Sequence, residues 1–544
     1  MLIPNWIHSC KVKTADKGEC IIVKEKIFDT ENNTWTDNLK FIKDPYRHFW
    51  IHQQKYRTYK YKREYADMNE CDKYKVKNVD LVKAIKQQLG IYSGKDSLRE
   101  VCNSPYVYGA DIDIQVLIKM SYLEKSSDLL VPYTVGAMDS EANIWSDYRI
   151  NILSFIHGRS IYVGILHDYL LNKKTNDGSY YTISDIHETV LKEIGDILDK
   201  YKFNVEYQIF NTDIEIIKYI FSKIHYHKTD FISIWNMPFD MGFILKRIQD
   251  EGLDPYDILV PKEVPRDYGE VRYYKDPKVV DHFTLNWDMC YIPGYTQVLC
   301  SMRLYSRLRI IKGKESSYAL DYITKKEIDL GKQKIIGTHH EMQEKHFLEY
   351  IAYNIMDNIL LILLEEKNKD ISSMTQLLGN SLIGDFSKQT ILLKNAFYQY
   401  CIERGKVPAT VGTQMLTPYD ELVPKLGGTV LPPYLISGAG LKAIKQRPNH
   451  ETLINIFVKD EDVGSEYPNT MSGLNISKET KLSTMIGING FKYEDIEPLF
   501  GGLASPMENA VPLCNKYFNL PNYQEMLKLY QQYLSEQIKT VDYW

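Results

Sequence analysis

Cysteine is sparse and unpatterned in this chain. No two of its eight copies, Cys10, Cys20, Cys71, Cys102, Cys290, Cys300, Cys401 and Cys514, stand at C-x-x-C spacing, which argues against a zinc ribbon or a disulfide framework as the organising device. Such scatter in a large chain suits a reducing compartment, and a cytoplasmic location is expected. The N-terminus, Met1-Leu2-Ile3-Pro4-Asn5-Trp6, lacks a basic segment followed by an apolar run, so it does not read as a secretory signal. No stretch approaches the ~20 apolar residues of a membrane span, and no membrane partner is expected. Internal repeats and long low-complexity runs are missing too. A net charge of −5 excludes a uniformly basic nucleic-acid coat, although a local basic groove beside acidic ligands remains compatible with phosphate binding. Tryptophan and phenylalanine, 7 and 18 copies, give way to 42 tyrosines, rings that combine an apolar body with a polar tip.

At 544 residues with 44% apolar and 25% charged side chains, the chain has the make-up of a soluble globular protein with two to four domains. From Met1 to about Leu129, short strand signals surround a helical stretch, Val79 to Leu89. The segment Arg47 to Tyr65 interleaves cations with aromatic rings. Two readings of it stay open, a contact surface for single-stranded nucleic acid and a twisted hairpin whose rings fill a small core.

From Val131 to about Asp370 the pattern turns α/β. Val131 to Met138 reads as a strand running into Asp139. Ile150 to Phe155 and Ser160 to Leu166 read as strands joined by a tight turn at His157-Gly158-Arg159. Asp185 to Tyr201 reads as an amphipathic helix with Ser184 as N-cap. Phe231 to Trp235 is a buried-type strand, and Met241 to Asp250 and His346 to Glu366 are helical. Val271 to Tyr274 and Val279 to Phe283 read as paired strands. Beyond Asp370 come helical segments through Gly405, a boundary near Gly427-Gly428, a strand from Leu453 to Lys459 and a polar helix from Tyr523 to Ile538.

The chemistry concentrates in acids on apolar flanks. Strand alternation puts Asp139 and Glu141 on one face, with Ser140 turned away. Asp240, in Asn236-Met237-Pro238-Phe239-Asp240, lies at a strand-to-helix junction. Asp357 lies on a helix with Tyr353 one turn earlier on the same face. Carboxylates are the ligands that hard divalent cations select, and two such ions about 4 Å apart cleave phosphodiesters. Asp111-Ile112-Asp113 competes as a second alternating acidic pair on an apolar strand, without the two-strand meander that follows Glu141. A further acid, Asp462, ends a strand and precedes a tight turn whose backbone N–H groups could hold a triphosphate.

The segments around Asp139, Asn236 to Asp240 and Tyr353 to Asp357 resemble the Exo I (D-x-E), Exo II (N-x-x-(F/Y)-D) and Exo III (Y-x-x-x-D) motifs of family B DNA polymerases, above all the replicative enzymes of tailed phages. Ser140 departs from the aliphatic middle residue of Exo I. Asp462-Val463-Gly464-Ser465-Glu466-Tyr467-Pro468 resembles motif A, D-x-x-S-L-Y-P, with Glu466 in place of leucine. The resemblance implies an α/β and α+β multidomain chain. It would hold an N-terminal domain over 1–129, a ribonuclease-H-like 3′→5′ exonuclease domain over 130–370, a helical connection over 371–426, and over 427–544 a partial palm with the start of the fingers.

It also implies two Mg²⁺ or Mn²⁺ ions. Asp139 would bridge both, Glu141 and Asp357 would serve the nucleophile-side ion and Asp240 the other. Tyr353 would orient the attacking water, while Asn236 and Phe239 would contact the strand end. At the second centre Asp462 would hold metal, and Ser465 and Tyr467 would contact the nucleotide. The D-T-D and K-x-x-x-N-x-x-Y-G motifs of the family do not follow Pro468. The expectation is therefore the front part of a replicative DNA polymerase with proofreading, completed by a separate C-terminal chain, by a joined gene product, or missing through truncation. Expected partners are DNA primer-template, a single-stranded 3′ end, a deoxynucleoside triphosphate once the enzyme is complete, and a sliding clamp. If the source is viral, the location is the host cytoplasm. Two alternatives are a stand-alone 3′→5′ DNA exonuclease and a non-catalytic DNA-binding subunit.

Overall fold

The computed structural model describes residues 1–14, 18–59, 62–91, 97–126, 131–171, 180–276, 286–310, 313–333 and 337–410. The second acidic segment (Asp462, Ser465, Tyr467), the Gly427-Gly428 boundary, the strand expected over Val279 to Phe283 and the last expected helix lie outside these residues. Residues 1–57 and 64–412 form one compact unit, and the expected divisions at 129/130 and 370/371 both fall within it.

The chain opens with a three-stranded antiparallel sheet of β1 (Leu2–Thr14), β2 (Gly18–Asp29) and β3 (Thr34–Lys43). One face of it is not surface. Cys10, Val12, Cys20 and Ile22 join the same apolar core as the large sheet described below. Two buried lysines of β2, Lys24 and Lys26, reach Asp230 on that larger body, with Nζ–O distances of 3.2 and 2.8 Å.

A second small sheet follows. β4 (Tyr46–His52) lies between β6 (Cys71–Lys77) and β7 (Val107–Tyr108). Its inner face, with Phe49 and Ile51, packs on the helix Leu81–Leu89 through Leu81 and Ile85. β5 (Tyr65–Asp67) lies apart from it and pairs with the last described strand. The segment Arg47 to Tyr65 is therefore not a self-contained hairpin, because its strand pairs outside the segment. Asp111-Ile112-Asp113 is a bend, not a strand. Gly109 turns the chain at φ 64°, and Asp113 then accepts from Gln115 N as the helix Ile114–Ser126 begins.

The large sheet has six strands in the order β11-β10-β9-β8-β12-β15, namely Asn204–Phe210, Ser160–Leu166, Ile150–His157, Val135–Ala142, Phe231–Ile234 and Gln297–Cys300. β9 runs antiparallel to both β8 and β10, while β8–β12, β12–β15 and β10–β11 are parallel. Gly158, at φ 60°, makes the two-residue turn from β9 to β10. The helix Ile183–Tyr201 is capped by Thr182, not Ser184, in a reciprocal arrangement with Asp185. The strands β13 (Arg272–Tyr274) and β14 (Met289–Tyr291) form a separate ribbon.

The helix Phe347–Asn368 lies against β8, β9 and the helix Ile183–Tyr201. Contrary to the expectation that no stretch approaches a membrane span, it is long and apolar enough to qualify by composition, but 89% of its most apolar stretch is buried inside the domain. A helix apolar on nearly every face is what a central core position requires. After the helices Asp370–Leu378 and Gln389–Glu403, β16 (Lys406–Pro408) returns to pair with β5.

Candidate active site

Strand alternation on β8 and helical spacing on Phe347–Asn368 bring the acids together. Asp139, Glu141 and Asp357 each offer an oxygen within 4.8 Å of the others. Asp139 and Glu141 keep partial access to solvent, whereas Asp357 is buried. Asp240 belongs to the same cavity of about 330 Å³, which Asn236, Phe239, Lys332, Tyr350 and Tyr353 also line. Ser140, turned away from the triad as alternation demands, donates through its hydroxyl (2.6 Å) and its backbone N–H (3.1 Å) to Asp240 Oδ1. The non-aliphatic residue in D-x-E thereby fixes the fourth carboxylate, a role that sequence reasoning missed.

Asn236 and Pro238 shape the junction that carries Asp240. Asn236 occupies the N-cap position of the helix Met237–Asp250, with Pro238 in its first turn, where a missing N–H costs little. Asp240 sits in that first turn, where the helix end favours negative charge. The Asn236 side chain makes no capping bond and is exposed. Phe239 is also exposed, its ring 4.7 Å from that of Phe243.

The helix Phe347–Asn368 contributes more than Tyr353 and Asp357. Tyr350, Tyr353, Asn354 and Asp357 follow the i, i+3, i+4, i+7 pattern of one face. Tyr350 donates to Glu141 Oε2, and the Tyr350 and Tyr353 rings stack 5.5 Å apart. Asn354 donates to Asp139 Oδ2 at 2.7 Å. Those two partners were legible in the spacing. Lys332 was not. It comes from a loop and donates to the Tyr353 hydroxyl (2.8 Å) and to Asp357 Oδ2. Asp357 Oδ1 is buried and, among the described residues, has no hydrogen-bond partner.

The electrostatics follow from this crowding. Burial, then the charges of Asp240, Asp357 and Glu141, push the Asp139 carboxyl well above its usual range. Burial pushes Glu141 up to about 8, against the opposing Tyr350 hydrogen bond. It pushes Asp240 up to about 7 and Asp357 to about 6, with Ser140 and Lys332 respectively pulling the other way. Burial works against the Lys332 ammonium, but Asp357 and its neighbours outweigh that and hold the group charged. Burial and then Asp357 raise Tyr353, so its hydroxyl keeps its proton. Several carboxylates of raised pKa and an unpaired buried oxygen form a donor set suited to a hard divalent cation, which would relieve both.

Comparison with known proteins gives a distant likeness. Over 252 residues, the chain is 24% identical to the DNA-directed DNA polymerase of Escherichia phage RB69. The alignment covers 46% of this chain and 24% of that polymerase, so the chain matches about a quarter of its curated relative's length. No protein-family model matches the chain.

Proposed function

We propose that this chain is a DNA-polymerase-type enzyme whose acidic cluster removes nucleotides from the 3′ end of DNA with two divalent metal ions. The observation that carries the reading is the convergence of Asp139, Glu141 and Asp357 oxygens within 4.8 Å from a strand and a helix more than two hundred residues apart in sequence. The strand order supports a ribonuclease-H-like sheet. A meander of three antiparallel strands is extended on the β8 side by two parallel strands, with Asp139 and Glu141 on β8. The distant likeness to a phage DNA polymerase supports DNA as substrate and a replicative context.

Asp139, Glu141 and Asp357 would hold one Mg²⁺ or Mn²⁺, and Asp240, with Asp139, a second. Bound there, the ions supply a hydroxide nucleophile and stabilise the leaving oxygen. The chain's own residues do the rest. Ser140 holds Asp240, Tyr350 holds Glu141, and Asn354 holds Asp139. Lys332 donates to the Tyr353 oxygen, which leaves the phenolic proton free to point at an attacking water. Asn236 and Phe239, exposed at the rim, would meet the strand end. A 5′-labelled single-stranded oligonucleotide tests the reading. It should shorten stepwise from its 3′ end with Mg²⁺ and stay intact with EDTA, and intact DNA in both would sink the proposal.

Lys332→Met should lower the cleavage rate by about 10–100-fold, the usual effect of losing a group that orients a metal ligand. Asp357 and Tyr353 lose their shared donor, so the deficit should appear in kcat at saturating DNA. Single-turnover kinetics provides the measurement, and an unchanged kcat would remove Lys332 from the mechanism.

The metal-free protein should lose stability as pH rises. In an unfolded chain these carboxyls titrate near pH 4, whereas in the fold they titrate from about 6 to about 8. Across that window the folded state binds more protons than the unfolded one, so its stability falls with rising pH. Thermal melts in EDTA should drop by several degrees between pH 6 and 8.5, since displacing a carboxyl's titration by a single pH unit is worth about 1.4 kcal/mol. Millimolar Mg²⁺ should abolish the drop. A flat profile in EDTA would contradict the crowding described above.

A further inference from the structure

The strand pair β4–β6 carries two unlike faces. Inward, Phe49 and Ile51 build a small core. Outward, the register sets Tyr46 opposite Lys77, His48 opposite Lys75 and Trp50 opposite Lys73. Three rings thus face three ammonium groups at alternate positions, which on a strand fall about 7 Å apart. Lys75 leans diagonally over Tyr46, while Lys73 lies over the ring directly opposite it. Lys75 Nζ lies 5.3 Å from the Tyr46 centroid and Lys73 Nζ 5.6 Å from that of Trp50.

Lys73 and Lys75 are exposed and, among the described residues, neither forms an ion pair with a carboxylate. Lys77 is the exception, bonded to Asp44. The local field is positive enough that Lys73 and Lys75, after burial, depress the His48 pKa. Tyr46 is 57% exposed. At the Trp50 end, the β5–β16 ribbon packs Ala66 and Val407 onto the ring. It turns out the exposed Tyr65 beside the half-buried Lys406, whose Nζ lies 5.3 Å from the Tyr65 ring and 3.8 Å from Asp67 Oδ2.

A solvated charge face needs no rings, and an apolar core needs no lysines on top of it. Rings and cations in alternation answer two demands of one ligand, stacking for bases and charge for phosphates. A duplex keeps its bases stacked inside and offers only the second. We propose that the outer face of β4–β6 is a docking track for single-stranded DNA, with Lys73 and Lys75 meeting phosphates and Tyr46 and His48 stacking bases. The inference rests on the reading of the chain as a DNA-processing protein, but on none of its acidic residues.

The test uses the full chain in EDTA and a 5′-labelled oligothymidylate of about 20 nucleotides, with affinity followed by fluorescence anisotropy over a salt series. The Lys73→Glu/Lys75→Glu variant should bind about tenfold more weakly or worse. Its log-affinity against log-salt slope should be shallower by about 1.4, since each single-strand phosphate contact contributes about 0.7. Tyr46→Ala should weaken binding by about tenfold with the slope unchanged. Lys73→Arg/Lys75→Arg should bind as the parent does, which would separate charge from misfolding.

Parental affinity and slope in the charge-reversed variant would overturn the track, as would an equal loss on duplex DNA or tighter binding of an RNA of the same sequence. Nucleotide release in Mg²⁺, measured in parallel, keeps the two proposals apart. Cleavage by a charge-reversed variant that binds like the parent leaves the exonuclease standing and the track refuted. Weakened binding in a chain that never cleaves does the reverse.

Discussion

Asp139→Asn should reduce nucleotide release from single-stranded DNA by on the order of a thousandfold, comparable to removing a main electrostatic contact from a transition state, while making the metal-free protein more stable. Both effects come from one atom pair. Asp139 clusters with Glu141 and Asp357 and feels the charges of Asp240, Asp357 and Glu141 together. An amide there keeps the volume and can still accept from Asn354, which lies 2.7 Å from the present Oδ2. The fold should therefore persist, and only the charge is lost. Without that charge, the two divalent cations proposed above would lose the carboxylate they are proposed to share.

Without metal, the same substitution removes repulsion among buried acids, so the melting temperature in EDTA should rise by a few degrees. The two readouts protect each other from trivial failure. A variant that is inactive because it is misfolded would melt lower, not higher. Gel analysis of a 5′-labelled oligonucleotide in Mg²⁺, with thermal melts in EDTA, makes the comparison. A rate within tenfold of the parent would show that Asp139 is not a ligand of the reacting metal.

Much of this site could be read from spacing, because period 2 on a strand and period 3.6 on a helix decide which side chains share a face. Asp139 with Glu141, and Tyr353 with Asp357, follow from those periods. Tyr350 and Asn354 follow from the same helical face and could have been found with them. Ser160–Leu166 falls where the apolar run and the flanking turn put it. The misreadings are also physical. Ser184 is a good capping residue by type, but only Thr182 has an acid three positions on to close the reciprocal pair. Asp111-Ile112-Asp113 alternates like a strand, yet the turn at Gly109 and the helix starting at Ile114 leave no room for one. Lys332 reaches the acids from a loop with no periodicity, so no local pattern announces it. Ser140 looked like a departure from the D-x-E pattern, and its value shows only when Asp240, a hundred residues on, arrives beside it.

Asp230→Ala should cost about 3–5 kcal/mol of stability, the range for breaking a buried ion pair by removing one partner. Asp230 immediately precedes β12 and has no exposed surface. Its Oδ2 accepts from Thr134 N at 2.8 Å and lies 2.8 Å from Lys26 Nζ. Its Oδ1 stands 3.2 Å from Lys24 Nζ as an ion pair without hydrogen-bond alignment. Lys24 is fully buried. It has Asp37 at 2.7 Å, the Lys228 carbonyl at 3.1 Å and the Tyr295 ring at 4.8 Å. Truncation at Asp230 would leave two ammonium groups sharing the single, partly exposed carboxylate of Asp37.

These contacts join the first sheet to the large one, so the loss should appear as a lower urea midpoint and as early proteolysis within β1–β3. A second arm separates charge from packing. Lys24→Met/Lys26→Met/Asp230→Leu removes every buried charge at once and should recover most of the loss, since apolar replacement of a whole buried cluster is often neutral. A triple variant no more stable than Asp230→Ala would mean that the network acts through the hydrogen bonds of Asp230 to Thr134, and not through the lysines.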